Sequence, residues 1–209
     1  MNQILKLTME DIAIVIKALD FASHRHRNQF RKGAEKIPYI NHPIQVANLL
    51  VNDGGENDPV LIAAAILHDV IEDTVGNATE RQELINEMSG IFNKEIMSVS
   101  LEVTDDKTLE KKVRKQLQID DANHKSVRAK KLKIADKIMN VRDITNNPPS
   151  DWPIERIIEY LDWSEKVVAG LRGVNIRLEN LFDESLEIGR SKYQLINNSL
   201  NDKDNKNKF

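Results

Sequence analysis

The segment from His68 to Asp73 places one imidazole and three carboxylates directly after the most apolar run of the chain, Val60 to Leu67. A helix that is apolar on every face belongs in the core of a domain. Unpaired charge is costly to bury, and the negative end of the helix dipole disfavours carboxylates further. A bound divalent cation would offset this charge, which makes the segment a candidate metal site. The simpler interpretation is an acidic helix end in contact with water.

Two neighbouring ligands hold a catalytic metal poorly, so we expect further ligands elsewhere in the chain. His42 lies at a helix start marked by Pro43, where its side chain can point into a cleft. Asp136 is a carboxylate within an apolar helix segment and requires a partner. Each has a simpler interpretation alone: His42 as a helix-start residue, and Asp136 as the partner of Lys133 or Lys137. The joint pattern of His, His-Asp and Asp on three helices indicates a metal site more specifically than any of these residues does alone.

The composition is typical of a globular protein and excludes several kinds of site. The 209 residues are enough for one domain with its own core. The net charge of -3 gives no general attraction to nucleic acid, so anion binding requires a local basic cluster. Because the chain has no cysteine, disulfides, thiolate metal ligands and cysteine nucleophiles are excluded. We expect a cytoplasmic protein without membrane attachment, since no signal peptide and no bilayer-spanning run is found.

Helical periodicity predicts an all-α fold, a single domain of about eight to ten helices. Thr8 and Asp11 form a capping box that begins the first helix, which we expect to end near Gln29. Prolines at His42-Pro43 and Asp58-Pro59 mark the first turns of the next two helices. Further helices are predicted over about 80–89, 93–103, 108–123, 126–143, 154–171 and 174–197. We assign residues 1–197 to the domain and 198–209 to a frayed polar tail.

The order of these motifs resembles that of the HD-domain metal-dependent phosphohydrolases, and in particular the hydrolase domain of RelA/SpoT-type alarmone enzymes. The segments that carry the resemblance are Arg31-Lys32, Tyr39-Ile40-Asn41-His42-Pro43, Leu67 to Thr74, Val103 to Leu109 and Lys133 to Asp143. The segments Glu159 to Trp163 and Val167 to Leu171 are similar to small stand-alone alarmone hydrolases, the group that includes the metazoan SpoT homologue. The resemblance covers about residues 10–180.

The resemblance implies hydrolysis of the 3′-pyrophosphate of guanosine tetra- or pentaphosphate with Mn²⁺, giving GDP or GTP and pyrophosphate. It assigns His42, His68, Asp69 and Asp136 as ligands of one metal ion, and Glu72 and Asp73 as the catalytic acidic pair. Such a mixed nitrogen and oxygen ligand set also suits Fe²⁺ or Zn²⁺. One residue and one loop depart from the family pattern. The residue is Met139, where relatives often carry an aromatic residue or His, and the loop is 33–37.

The acidic pair shares helix faces with the predicted ligands, because Glu72 follows His68 by one turn and Asp73 follows Asp69. We expect Glu72 to orient or deprotonate the attacking water, and Asp73 to pass a proton to the leaving 3′-oxygen. The simpler interpretation of both residues is an exposed acidic helix end.

A polyanionic substrate requires cations near the metal. Arg31 and Lys32 are the first candidates for the pyrophosphate, with a solvated basic loop as the simpler interpretation. Tyr39, Lys107 and Asn140 complete the predicted substrate-binding set. The basic cluster Lys111, Lys112, Arg114 and Lys115 is interpreted as a solvated helix face.

Two alternatives use the same fold. In the first, which the resemblance to stand-alone relatives implies, the site removes the 2′-phosphate of NADPH; both substrates carry a ribose phosphate beside a nucleotide, so the same metal and basic pair could serve either. In the second, the protein is a non-catalytic nucleotide-binding regulator, which predicts loss of metal ligands or of the acidic pair. All six of those positions are filled, which argues against a regulator. A DNA-binding module is disfavoured by the slightly negative charge.

Overall fold

The computed structural model describes residues 8–33 and 35–206, with side chains through residue 196. In chain order the helices are α1 (Met9–His26), α2 (Asn41–Asn52), α3 (Pro59–Leu67), α4 (Val70–Asp73), α5 (Ala78–Ile91), α6 (Lys94–Val103), α7 (Lys111–Asp120), α8 (Val127–Asn146), α9 (Ile154–Ala169) and α10 (Ile176–Lys206). A 3₁₀ turn, Ala122–His124, connects α7 to α8. The described residues contain one isolated β-bridge, between Phe30 and Pro38, and no strand. The all-α prediction is confirmed.

Short polar side chains begin most of these helices by accepting hydrogen bonds from the first backbone N–H groups. Thr8 and Asp11 form the predicted capping box at the start of α1. Asp58 accepts from the N–H groups of Val60 and Leu61, and Pro59 occupies the first turn of α3. The capping box of α1 and the proline start of α3 depend on residues close in the chain, and both predictions are confirmed.

The apolar helix α3 lies at the centre of the molecule, as its composition predicts. Its residues Leu61 to Leu67 are all buried, and it packs against α1, α2, α6 and α8. The second central helix is α8, which packs against α2, α6, α9 and α10. Because α3 and α8 also pack against each other, His68, which follows α3, and Asp136 of α8 reach the interior from neighbouring helices.

Several predicted boundaries differ from the structure. The first helix ends at His26, three residues before Gln29. Helix α3 ends at Leu67, and a turn at His68 and Asp69 separates it from α4, where a continuous helix is expected. Helix α10 continues to Lys206, so most of the predicted tail is assigned to this helix, and residues 207–209 lie outside the described part. Within the described ranges, no helix is sufficiently long and apolar to cross a bilayer.

Candidate active site

Three buried side chains from separate elements converge at the centre of the molecule. His42 comes from the first turn of α2, His68 follows α3, and Asp136 lies in the middle of α8. One potential ligand atom of each lies within 4.8 Å of the others. The Oδ1 atom of Asp136 is 3.2 Å from Nε2 of His42 and 3.7 Å from Nε2 of His68. This spacing would allow a single ion to contact all three.

Asp69 lies beside the same two imidazoles. Its Oδ2 atom is 3.1 Å from Nε2 of His68 and 3.8 Å from Nε2 of His42. Burial opposes ionisation of Asp69, but the neighbouring charge of His68 holds the pKa of the carboxyl below its ordinary value. The structure thus brings together all four residues that the sequence suggests as ligands.

The environment of His68 is that of a metal ligand. His68 is buried, and within the described residues its Nε2 atom has no hydrogen-bond partner although it faces carboxylates. A buried polar atom without a partner is costly, and a bound cation would supply the partner. Two imidazoles and two carboxylates form a mixed nitrogen and oxygen set that suits Mn²⁺, Fe²⁺ or Zn²⁺. The residues present therefore fit a divalent cation.

Further side chains hold Asp136 in place. The Nδ2 atom of Asn140 donates to Oδ1 of Asp136 at 2.6 Å, and Nζ of Lys137 lies 3.4 Å from Oδ2. The Lys137 ammonium also lies 4.5 Å from the ring centroid of Trp163. The simpler interpretation of Asp136, a pair with a neighbouring lysine, is thus true of Lys137, but it does not exclude the role of a ligand. Partners of this kind orient metal ligands and are part of a metal site.

Glu72 lies on α4 with its carboxylate turned toward the loop that precedes α7. Its Oε2 atom accepts the backbone N–H of Asp105 at 3.1 Å, and its Oε1 atom is 3.8 Å from Nη1 of Arg114. Burial, and then the negative charges of Asp105 and Asp69, raise the pKa of Glu72 to about 7. A carboxyl group that titrates there can both accept and release a proton near neutral pH.

Asp73 is tied to two predicted substrate-binding residues. Its Oδ2 atom is 2.8 Å from the hydroxyl of Tyr39, and the ammonium of Lys107 donates to Oδ1. The same Tyr39 hydroxyl is 2.8 Å from Oδ2 of Asp69. Burial and these two carboxylates raise the pKa of Tyr39, so the hydroxyl keeps its proton and acts as a donor. Tyr39 therefore links Asp69, one of the candidate metal ligands, to the acidic pair.

Arg31 is bonded within the site, so the interpretation as a solvated loop residue does not apply to it. Its Nη2 atom donates to Oδ1 of Asn140 at 2.8 Å and to Oδ2 of Asp143 at 2.5 Å. Its guanidinium carbon lies 5.5 Å from the ring centroid of Tyr39. Lys32, in contrast, is exposed. The two residues that the sequence treats as a pair thus have different environments.

The cluster opens into two adjoining cavities. The smaller, of about 650 Å³, contains His42 and Tyr39 and has an apolar wall. The wall includes Phe30, Ile37, Ile144, Pro149 and Trp152. The larger cavity, of about 1080 Å³, is here called the basic lobe because most of its charged lining residues are cationic. Those cations are Lys32, Lys107, Lys111, Lys112, Arg114, Lys115, Arg156 and Lys166. Asp73, Lys107 and Asn140 line both cavities.

The basic lobe corrects one interpretation of the sequence. The pattern from Lys111 to Lys115 on α7 predicts a solvated helix face, but these cations line the cavity beside Glu72. Arg156 and Tyr160 on α9 also line it. Tyr160 lies in the Glu159 to Trp163 segment that carries part of the resemblance, but neither residue belongs to the predicted site. A charged helix face has the same pattern whether it meets bulk water or a polar cleft, so the pattern cannot distinguish the two. Met139, a departure from the family pattern, packs against the core and lines neither cavity.

Comparisons with known proteins agree with this geometry. The HD domain family matches residues 18–158. Proteins named guanosine-3′,5′-bis(diphosphate) 3′-pyrophosphohydrolase MESH1 are 44% identical over 173 residues in Xenopus tropicalis and 43% identical over 169 residues in Homo sapiens. These alignments cover 83% and 81% of this chain, and 93% and 90% of the relatives. A solved structure of a metazoan ortholog of SpoT, described as hydrolysing ppGpp, has a TM-score of 0.78 and 40% identity, covering 84% of this chain and 94% of the other.

Proposed function

The chain belongs to the HD-domain family, and on this basis we propose that it is a guanosine-3′,5′-bis(diphosphate) 3′-pyrophosphohydrolase. Water would cleave the bond between the 3′-oxygen and its phosphorus, giving pyrophosphate and GDP or GTP. The observation that carries the proposal is the buried group of His42, His68 and Asp136, with the half-buried Asp69 beside its imidazoles, next to an acidic pair and a basic lobe. Relatives with this named activity match over most of both chains.

We infer that His42, His68, Asp69 and Asp136 hold one Mn²⁺ ion. The mixed donor set supports a divalent metal, and the preference for manganese over Fe²⁺ or Zn²⁺ comes from the family resemblance. Such an ion, when bound, lowers the pKa of coordinated water and offsets negative charge on phosphoryl oxygens. The protein contributes the fixed positions of the four side chains, with Asn140 and Lys137 orienting Asp136.

Glu72 is proposed to accept the proton of the attacking water. Its pKa of about 7 suits a general base at neutral pH, because the ionised form is then present while the proton is still held strongly enough to be transferred. The backbone N–H of Asp105 leaves the second carboxylate oxygen, Oε1, to face Arg114 and the basic lobe.

Asp73 is proposed to deliver a proton to the leaving 3′-oxygen. Its carboxylate receives a hydrogen bond from the ammonium of Lys107, so a proton can pass from nitrogen to Asp73 and then to the leaving group. The hydroxyl of Tyr39 holds the other oxygen of Asp73 in a fixed direction. Because Asp73 and Lys107 line both cavities, the scissile bond is proposed to lie where the cavities meet.

The apolar and the cationic cavity correspond in chemistry to the nucleoside and the phosphates of the substrate. We propose that the smaller one, with aromatic and aliphatic walls, takes the guanosine, while the basic lobe takes the phosphates. Partial burial and the charges of Arg156, Lys32 and Arg114 lower the pKa of Lys111, which indicates a concentration of positive charge suited to a polyanion. Lys32 is assigned to the pyrophosphate. Arg31, bonded to Asn140 and Asp143, is assigned to the wall of the smaller cavity.

The test is product analysis with the full chain, Mn²⁺, and either guanosine tetraphosphate or NADPH, each with an EDTA control. Release of GDP and pyrophosphate that depends on metal would support the proposal. Phosphate release from NADPH alone would assign the site to the alternative, a 2′-phosphatase. Tight binding of guanosine tetraphosphate without turnover would overturn the proposed activity in favour of a regulator.

A further inference from the structure

We propose that Asp105 is a positioning residue for Glu72, and that Gln118 and Lys133 hold Asp105 in place through a chain of contacts that begins in the wall of the basic lobe. The inference rests on the proposed function, since it concerns proton transfer by Glu72. It adds residues from the loop before α7, from α7 and from α8, none of which belongs to the metal cluster or the acidic pair.

The first contact joins Asp105 to Glu72 directly. Although the residues are 33 positions apart, the backbone N–H of Asp105 donates to Oε2 of Glu72 at 3.1 Å. Arg114 bridges the two carboxylates, because its Nη1 atom lies 3.8 Å from Oε1 of Glu72 and 3.8 Å from Oδ2 of Asp105. A backbone donor and a shared guanidinium together restrict both the position and the rotation of the Glu72 carboxylate.

The second contact fixes the side chain of Asp105. The amide Nε2 of Gln118 donates to Oδ2 of Asp105 at 2.6 Å, and its Oε1 accepts from Nζ of Lys133 at 3.3 Å. Both ends of the amide are used, so its orientation is determined. Lys133 is only 6% exposed, and an ammonium that is buried this deeply requires acceptors. Lys137, one turn further along α8, is the lysine that contacts Asp136.

Asp105 acts on Glu72 through its charge as well as through its position. Asp69 and Asp73 face Glu72 from its own segment, Asp105 from the loop before α7, Arg114 from α7 and Lys133 from α8. After burial, Asp105 is the strongest influence that raises the pKa of Glu72. Loss of the Asp105 charge should therefore lower that pKa, even with the backbone hydrogen bond intact.

The decisive variant is Asp105→Asn, which keeps the side-chain size and the backbone N–H but removes the charge. The acidic limb of the kcat profile for guanosine tetraphosphate is expected to move to lower pH by about half a pH unit or more. Asp106→Asn is the matched control: its carboxylate is exposed and bonds Thr108, and its profile should follow that of the wild type. Gln118→Leu should lower kcat, since it removes the hydrogen bond that holds Asp105 and does not contact Glu72 directly; because Gln118 lines the basic lobe, the readout is kcat and not KM.

A second readout does not depend on turnover. The side-chain carboxyl carbon of Glu72 can be followed by ¹³C NMR titration, with its signal identified by its loss in Glu72→Gln. In Asp105→Asn the pKa of Glu72 obtained from this titration should fall, as the acidic limb of the kcat profile moves to lower pH. If the wild type hydrolyses guanosine tetraphosphate but Asp105→Asn keeps the wild-type limb and titration, the inference is wrong and the proposed function stands. If the wild type has no turnover, the proposed function fails, and an unchanged NMR titration would separately overturn the role of Asp105.

Discussion

The Nδ1 atom of His68 donates a hydrogen bond to the backbone carbonyl of Ala65, 2.7 Å away and one turn earlier in the chain. A carbonyl oxygen only accepts, so Nδ1 carries a proton, and in the neutral ring the lone pair is on Nε2. The Nε2 atom faces Oδ2 of Asp69 and Oδ1 of Asp136; burial opposes protonation of the ring, but these two carboxylates raise the pKa of His68 to about 10, so a bound cation would take the place of the Nε2 proton. The backbone of α3 thus orients His68 to bind a cation before any cation arrives.

Removal of the metal should abolish turnover without unfolding the protein. The core around α3 is apolar and packed independently of the ligands, so helicity measured by circular dichroism should persist in EDTA. Added Mn²⁺ should restore pyrophosphate release and raise the melting temperature, because a ligand that binds only the folded state stabilises it. Unfolding on chelation would instead identify a structural metal.

Asp136→Asn should weaken metal binding by at least about tenfold, since it removes a ligand charge that faces both imidazoles. Isothermal titration with Mn²⁺ measures this directly. Asp151→Asn, at an exposed loop position, is the control and should bind as the wild type does. Equal affinity of the two variants would remove Asp136 from the ligand set.

Glu72→Gln should lower kcat by about 10²- to 10⁴-fold, because the amide cannot accept the proton of water. The metal content of the purified variant should equal that of the wild type, since Glu72 is directed to Asp105 and Arg114. Glu83→Gln, exposed on α5, serves as the control. A variant that loses its metal along with activity would reassign Glu72 as a ligand.

The kcat of the wild type should rise with pH through about 7. The pKa of Glu72 is raised to about 7, so the carboxyl is protonated below that value and available as a base above it. A steady-state pH profile between about 5.5 and 8.5, with metal saturating at each point, provides the measurement. A profile that is flat on its acidic side would exclude Glu72 as the base.

Tyr39→Phe should reduce kcat by about tenfold and leave KM close to the wild-type value. The ring that contacts His26 and Arg31 remains, but the hydroxyl that holds Asp69 and Asp73 is lost. Tyr193→Phe removes a buried hydroxyl bonded to the end of α8, and it measures the general cost of such a loss. Equal effects of the two substitutions on kcat would contradict a specific role for Tyr39.

Neutralising the cations of α7 should weaken substrate binding. The double variant Lys111→Gln and Lys115→Gln should raise KM by more than about tenfold and reduce the dependence of KM on salt, because both residues line the basic lobe. The double variant Lys17→Gln and Lys94→Gln changes the net charge equally at exposed positions outside the cleft. Similar KM values for the two double variants would show that only net charge matters.

Local sequence was sufficient to predict most of the helices, the starts of α1 and α3 and the types of residue available for chemistry, but not the break between α3 and α4. Caps such as Asp58 on α3, and the apolar composition that places this helix in the core, depend on neighbours a few residues apart. The candidate ligands could be found in the same way, because imidazoles and carboxylates on otherwise apolar helix segments are costly to bury without a cation.

Which charged groups meet depends on the tertiary structure. Arg31 donates hydrogen bonds to Asn140 and Asp143, which are more than 100 residues away in the chain, and Glu72 accepts one from the backbone of Asp105. The charged face of α7 lines a cleft although its local pattern is that of a solvated helix. Such contacts follow from how whole helices dock, and docking is driven by the summed burial of apolar surface, which is not directional. Local periodicity therefore shows which face of a helix is polar, while the packing of the other helices decides what that face meets.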